Sequence, residues 1–589
     1  MSNERVIPNE AQSKSDFITF DILSEGAAID PTYQVISVSV SKEANRIPFA
    51  KLVIVDGDPS EETFEISSAD VFIPGKKITI KAGRDGNNEV VFKGVVVKHA
   101  IKVGGSGGSS LVVDCKDECV KMTLGRKNKY FEEKKDSEII QELLGGFAGD
   151  VKATKVKHKE VVQHYSTDWD FVMMRAEVNG MLVLASDGKV DIAPPETASP
   201  ALTLIYGATV IDFEAEMESR YQWKAVEGKS WDYADQALFQ AESSSSSFKE
   251  FGNLDGSTLS DAIGLDKFEL RHSGHLPTEE LQAWADAAML KSRLAKIRGK
   301  VKFKGTANVK PGVTVELKGF GDRFNGKAYI TGIRHELVNG GWLTTAQFGL
   351  EPDWFARNKD ITEAPAAGLL PGINGLHIGK VVKLEEDPDG EHRIQVKLPI
   401  IDNDAKGIWA RAALLDAGAN RGTFWRPEVD DEVIVGFINN DPRDAVVLGM
   451  LHSSAKPAPL EAKDTNHEKG IFTRENMRIL FNDETKTITI DTPAGNHIII
   501  DEDTTSIEIK DQNDNKIILN DQGIEINSPK DIKIEAGGKI DIKAAQDLKA
   551  EGLNVGIKAS AKFEAEGSAG ATLKTSAIAE VKGSLVKIN

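Results

Sequence analysis

The stretch IEINSPKDIKIEAGGKIDIKAAQDLKAEGLNVGIKASAKFEAEGSAGATLKTSAIAEVKGSLVKIN (524–589) decides the fold. Apolar residues two apart recur along it: Ile524/Ile526, Ile532/Ile534, Ile540/Ile542, Leu548/Ala550, Val555/Ile557, Phe563/Ala565, Ala571/Leu573, Ala579/Val581 and Val586/Ile588. Successive pairs are 8, 8, 8, 7, 8, 8, 8 and 7 residues apart. Residues i and i+2 of a strand share a face, so each pair points one way. The residue between them points the other way. In the first four repeats it is Glu525, Lys533, Asp541 and Lys549, polar and alternating in sign. Eight residues make one short strand and a corner. One chain folded on that period leaves its apolar face wet, and strands this short need neighbours for their N–H and C=O groups. Three chains wound together meet both needs, each supplying one side of a prism. The spacing therefore predicts a triple-stranded β-helix formed by a homotrimer. Its core residues are Ile524, Ile526, Ile532, Ile534, Ile540, Ile542, Leu548, Val555, Ile557, Phe563, Leu573 and Val581. The side chains shrink toward Ala571 and Ala579, so the rod tapers. A one-chain β-helix needs a longer coil, and the interleaved charges oppose open-ended stacking.

The same pairing runs upstream at irregular spacing: Ile488/Ile490, Ile498/Ile500, Ile507/Ile509 and Ile517/Leu519, separated by turn clusters such as DTPAGN and DQNDN. That part reads as a meander of hairpins. Further toward the N-terminus strand signals dominate, as in YQVISVSV (33–40), KKITIKAG (76–83) and VVFKGVVV (90–97). Helices are few and are expected from Asp136, from Thr167-Asp168 to Asn179-Gly180, and over Thr278 to Lys296. Polar or proline-containing breaks at Ser243–Ser247, 359–374 and 453–467 divide the chain into four regions: 1–242, 248–358, 375–452 and 468–589. Between 375 and 452, five or six short strands with turns such as Pro388-Asp389-Gly390 suggest a small OB-like barrel. The fold class is mainly β.

The chain has 589 residues, and 72 basic against 91 acidic residues give a net charge of −19. Such a field repels phosphate, so nucleic acid is not an expected partner. No stretch approaches the ~20 apolar residues that span a bilayer as a helix. The start, MSNERVIPNE, has no apolar run of a secretory signal, so synthesis and assembly in the cytoplasm without a signal peptide are expected. Two cysteines exclude a disulfide scaffold.

With this repeat behind an OB-like barrel, the chain resembles the VgrG-type central spikes of contractile injection systems, a group that includes type VI secretion and phage-tail-like particles. The residues that carry the likeness run through most of the chain. They are QHYSTDWDFVMMRAEVNGM (163–181), LTLIYGATVIDFEAEMESRYQ (202–222) and FNGKAYITGIRHELVNGGWLTTAQFGL (324–350). In the OB-like region they are Trp409-Ala410-Arg411-Ala412, Trp425-Arg426-Pro427, Asp431-Glu432-Val433 and Asp441-Pro442-Arg443. Asp430 stands where the family commonly has glycine, which puts that turn in question. The resemblance implies tandem hub barrels, a hexameric tube protein ring and baseplate proteins as hub partners, and a spike that pierces a target envelope. It also implies a PAAR-type tip protein docked around Val586, Ile588 and Asn589, and in some members cargo effectors. It implies no enzyme and no cofactor. A β-solenoid adhesin or tail fibre, or a tail-associated cell-wall hydrolase, is the alternative. The first would need a binding head after the rod and the second a domain with paired carboxylates.

Other motifs carry less. Gly321-x4-Gly326-Lys327 has P-loop spacing, but Ala328 replaces the magnesium-holding hydroxyl and a strand follows. Gly104-Gly105-Ser106-Gly107-Gly108 matches the nucleophile-elbow pattern in a glycine loop without a helix. Cys115 and Cys119 are expected as buried small side chains, and His272 and His275 as part of a polar loop, so no metal site is expected. Trp409, Phe424, Trp425 and Phe437 are expected in core packing and interdomain contacts rather than as base-stacking platforms.

Overall fold

A computed structural model describes residues 17–105, 108–404 and 406–588. The start MSNERVIPNE, Ser106 and Gly107 of the glycine loop, and Asn589 lie outside the described residues. The chain divides into two compact units, 1–450 and 451–589.

The first unit is built on a thirteen-stranded sheet. Its path runs Val210–Met217, Ile297–Lys304, Gly341–Phe348, Gly326–Val338, Val35–Glu43, Phe49–Val55, Gly108–Lys116, Asn87–Gly104, Lys77–Arg84, Ile18–Ser24, Ala27–Ala28. Two further strands, Leu202–Ile205 and Thr314–Lys318, branch from Gly326–Val338. The Ser243–Ser247 run therefore does not separate two sheets: Val210–Met217 pairs with Ile297–Lys304 across it, and Gly332–Val338 pairs with Ser37–Glu43. The reason is the 13-residue strand Gly326–Val338. Its first half pairs with Thr314–Leu317, and its second half bonds Val35–Glu43 on one edge and Gly341–Phe348 on the other. Two cores sit on this sheet. One gathers Leu52, Ile54, Ile80, Phe92, Leu111 and Val113. The other gathers Val301, Phe303, Val315, Ile330 and Phe348. Alternation in each strand places these residues on the buried face.

The expected helices form as Asp136–Leu144, Asp168–Val178 and Thr278–Leu294. The residues 163–181 that carry the resemblance have structural roles here. Thr167 caps its helix, its Oγ1 accepting from the Asp170 N–H at 3.0 Å. Arg175 donates to Asp136 through Nε at 2.6 Å and through a terminal nitrogen at 3.0 Å. Asn179 Nδ2 donates to the same carboxylate at 2.8 Å. Glu177 accepts the Phe355 N–H at 2.7 Å and pairs with Lys291. Burial pushes the Asp136 carboxyl up, but the bonds from His158, Arg175 and Asn179 outweigh it and hold the group below its ordinary range.

Residues 377–450 form a closed five-stranded barrel, His377–Lys383, Ile394–Lys397, Ile408–Ala412, Ala445–Met450 and Glu432–Phe437, around Val381, Ile394, Val396, Val433 and Val435. The Trp425-Arg426-Pro427 motif closes its long loop: Arg426 donates to the Leu384 and His392 carbonyls at 2.9 and 3.0 Å. Phe424 and Trp425 are 78% and 48% exposed, so they do not enter the barrel core as expected. They precede Pro427 in the loop between Ile408–Ala412 and Glu432–Phe437, and Arg426 stacks over Phe424. Trp409 and Phe437 are half-buried. Asp430 adopts φ +71°, the left-handed region where glycine is favoured. The turn still forms, with the Asp430 N–H donating to the Val381 carbonyl at 2.9 Å and its carboxylate 2.8 Å from Lys380 Nζ.

The second unit contains a seven-stranded antiparallel meander: Glu468–Phe472, Arg478–Asn482, Thr487–Asp491, His497–Asp501, Ser506–Lys510, Lys516–Asn520 and Gly523–Asn527. Each strand has five residues and pairs only with its sequence neighbours. Beyond Asn527 the described residues form no strand and no backbone-to-backbone hydrogen bond.

Candidate functional site: a ladder of isoleucines

The strand register of the meander aligns its apolar pairs. Ile479 faces Ile490, which faces Ile498, then Ile509, Ile517 and Ile526. Alongside runs a second row, Phe481, Ile488, Ile500, Ile507, Leu519 and Ile524. Both rows lie on one face because the members of each pair are two residues apart. The other face is mostly polar and carries charge pairs between neighbouring strands. Arg478 bonds Asp491 at 2.7 Å, His497 bonds Glu508 at 2.8 Å, and Lys516 reaches Glu525 at 3.4 Å.

The burial is the reverse of a solvated sheet. Ile490, Ile498, Ile500, Ile507, Ile509 and Ile517 are 37–44% exposed, while Thr489, Ile499, Glu508 and Ile518 on the polar face are half-buried. Six strands at ~4.8 Å spacing make the rows about 24 Å long. The uncovered apolar surface is on the order of several hundred Å², at the upper end of what a soluble monomer presents.

The structure brings Ile524 and Ile526 into this ladder on its last strand. It does not bring the other expected core residues into a core of a single chain. Ile532, Ile534, Ile540, Ile542, Leu548, Val555, Ile557, Phe563, Leu573 and Val581 are all 50–84% exposed. Val586 and Ile588 are exposed as well. From Ile488 onward the upstream rows were visible in the sequence as isolated pairs, while Ile479 and Phe481 at their head were missed. The alignment of the rows was not visible, because it depends on hairpin lengths that differ from turn to turn.

The remaining motifs place as follows. Gly326-Lys327 opens a strand, not a helix. Cys115 and Cys119 are buried, and burial pushes both thiols up, Cys115 to about 12. His275 lies 3.4 Å from Asp232, and the His272 ring is 3.1 Å from the Gly274 carbonyl. Among the described residues no three His, Cys, Asp or Glu side chains gather as a metal site, and no helix is long and apolar enough to cross a membrane.

The chain is thus mainly β, with a closed OB-type barrel and an antiparallel sheet that bares its apolar face. Residues 377–452 match the type VI secretion system/phage-baseplate injector OB domain. Residues 14–339 match the Alg8 N-terminal domain, and the chain belongs to that family. It is 24% identical over 202 residues to the type VI secretion system spike protein VgrG1b of Pseudomonas aeruginosa, covering 32% of this chain and 26% of that one. It is 30% identical over 105 residues to the spike protein VgrG3 of Vibrio cholerae, covering 16% and 10%. The matches thus span about a quarter or less of these relatives' length. Among solved structures, an E. coli component of the type VI secretion system aligns over 73% of this chain and 99% of its own at 12% identity, with a TM-score of 0.37. A Francisella PdpA–VgrG complex aligns over 88% and 82% at 10% identity, with a TM-score of 0.35. The chain is related to the VgrG-type spikes of contractile injection systems.

Proposed function

We propose that this chain is the central spike of a contractile injection particle, a structural and non-enzymatic part made in the cytoplasm. Three copies close the apolar faces of residues 478–588 against one another. The thirteen-stranded unit docks a hexameric tube ring and baseplate proteins. The assembly pierces a target envelope, with a PAAR-type tip protein seated on Val586, Ile588 and Asn589 and cargo effectors carried in some particles. One observation carries the reading: two apolar rows, aligned strand by strand yet uncovered, continue as exposed pairs at a near-constant eight-residue step. Burying one large aliphatic side chain contributes ~1.5–3 kcal/mol, so some twenty partly exposed residues per chain strongly favour association.

The test is native mass by light scattering for the full chain and for a truncation ending near Lys463. A full-length trimer and a monomeric truncation are expected. A full-length monomer would remove the trimeric spike reading.

A further inference from the structure

We propose that the outer face of the octad region carries a charge checkerboard that fixes the register of the three chains and lets each chain accept only copies with the same pattern. This rests on the trimeric reading above.

The outward positions of an octad are the residue before the apolar pair, the one between, and the one after, because all three alternate with the pair. In the octad of Ile532 they are Asp531, Lys533 and Glu535, with signs minus, plus, minus. In the next they are Lys539, Asp541 and Lys543, plus, minus, plus. In the third they are Asp547, Lys549 and Glu551, minus, plus, minus. The last position continues through Lys558, Glu566 and Lys574. Within one chain the side chains of an octad already meet: Lys533 pairs with Glu535 and Lys539 with Asp541, all of them exposed.

The geometry of a threefold prism gives the pattern its meaning. Each octad makes one side, so an octad of one chain rests against the following octad of its neighbour. In register, all three outward positions then meet opposite charges between chains. The meander displays the same arrangement within a chain, where Lys516 on one strand pairs with Glu525 on the next. The apolar pairs alone cannot set this register, because a slip of one octad puts aliphatic on aliphatic again. The same slip sets every checkerboard charge against a like charge. Individually such surface pairs are weak, but the slip reverses all of them together, and like-charge juxtaposition is how coiled-coil and sheet interfaces reject wrong partners. The occupant of this surface is a second copy of the chain.

The experiment inverts the signs in the full-length chain. Reversing one octad only (Lys539→Glu, Asp541→Lys, Lys543→Glu) should abolish or strongly lower trimer yield. Reversing the flanking octads as well (Asp531→Lys, Lys533→Glu, Glu535→Lys, Asp547→Lys, Lys549→Glu, Glu551→Lys) should restore it. One like-sign contact then remains at each margin, with Glu525 and with Lys558. Differently tagged native and fully inverted chains are then co-expressed, and the mixed trimers counted by native mass spectrometry. Random association gives about three quarters mixed species; sorting should reduce this at least several-fold. Assembly in ~1 M salt, where the Debye length falls to ~3 Å, should return the mixture toward random. Random mixing at low salt between native and inverted trimers, or sorting that survives high salt, overturns the checkerboard and leaves the trimer standing. A native chain that is monomeric removes both.

Discussion

Replacing Ile532 with Asp tests the inward assignment at the first pair beyond the meander. In a single chain Ile532 is 54% exposed, so closing the prism buries roughly half of a side chain whose full burial is worth ~1.5–3 kcal/mol. The substitution forfeits about 1 kcal/mol per chain, or about 3 per layer of three. The carboxylate costs more. Three of them would share one apolar layer, and their cheapest escape is protonation. Holding an acid of pKa ~3.9 neutral at pH 7 costs about 4 kcal/mol, or about 12 for the layer. The sum, about 15 kcal/mol, matches the whole stability of a typical domain. The assay is light scattering of Ile532→Asp beside Lys533→Ser, its outward neighbour. Ile532→Asp should lose the trimer at pH 7 while the first unit keeps its own cooperative unfolding, and Lys533→Ser should remain trimeric. At pH 4 most of the protonation cost is gone, so Ile532→Asp should recover trimer relative to native protein at the same pH. An unchanged trimer at pH 7, or equal damage from Lys533→Ser, would refute the inward assignment.

Three further outcomes concern the first unit. Asp136→Ala leaves the Arg175 guanidinium with Glu280 at 3.4 Å as its remaining carboxylate and His158 at 3.1 Å, and urea unfolding should show a loss of ~3–5 kcal/mol. The native Asp136 contribution is complete above its ordinary value of 3.8 and is lost as pH falls below it, since the folded group holds its proton less tightly. His335 is buried against Trp342 and bonded to Thr344 at 2.8 Å, and burial pushes it down to about 3. Between pH 6.5 and 3 the unfolded chain takes up a proton that the folded one refuses, so stability should fall by up to about 5 kcal/mol over that window. His335→Phe should flatten that part of the pH–stability curve. Asp430→Gly relieves a left-handed aspartate and should raise the barrel's stability by up to ~1 kcal/mol, read as a higher unfolding temperature.

How much of this was legible depends on the range of the interactions involved. The octad step is local, and so were the three helices, whose caps and apolar faces lie within a few residues of each other. The OB-type barrel was legible because its five apolar strands all fall between residues 377 and 450, separated by marked turn residues. The thirteen-stranded sheet was not. Its joining contact, Val338 opposite Ser37, links residues 301 positions apart, and nothing in either strand marks its partner. A serine run looks like a linker, yet Ser243 is itself buried at the end of the strand Ala237–Ser243, and Ser243–Ser247 only turns the chain within one unit. The core packing expected of Phe424 and Trp425 failed for a related reason. Aromatic character favours burial on average, but which face of a long loop meets the barrel is fixed by Arg426 reaching two distant carbonyls.

In the proposed trimer the two parts of the second unit differ in what they ask of other chains, and that difference predicts where the sequence tolerates deletion. The meander satisfies its ladder within one chain, so its register is fixed before any partner arrives. The octads have no intrachain ladder, and in the proposed trimer each apolar pair must face inward for the chains to close. A residue lost inside a strand turns every later side chain of that strand to the opposite face. Deleting Lys533 would therefore swing Ile534 outward and bring Glu535 in. A residue lost at a corner changes only the corner. The sequence already contains this second case, in the two seven-residue steps from Leu548 to Val555 and from Ala579 to Val586. Gly537 and Gly538 lie in the corner after Ile534, and a Cβ at either would meet no neighbour within 4 Å in the chain. Deletion of Gly538 should thus leave a trimer of near-native unfolding temperature, whereas deletion of Lys533 should lose the trimer as Ile532→Asp does. Equal tolerance of the two deletions would mean that the eight-residue step does not report a strand and a corner.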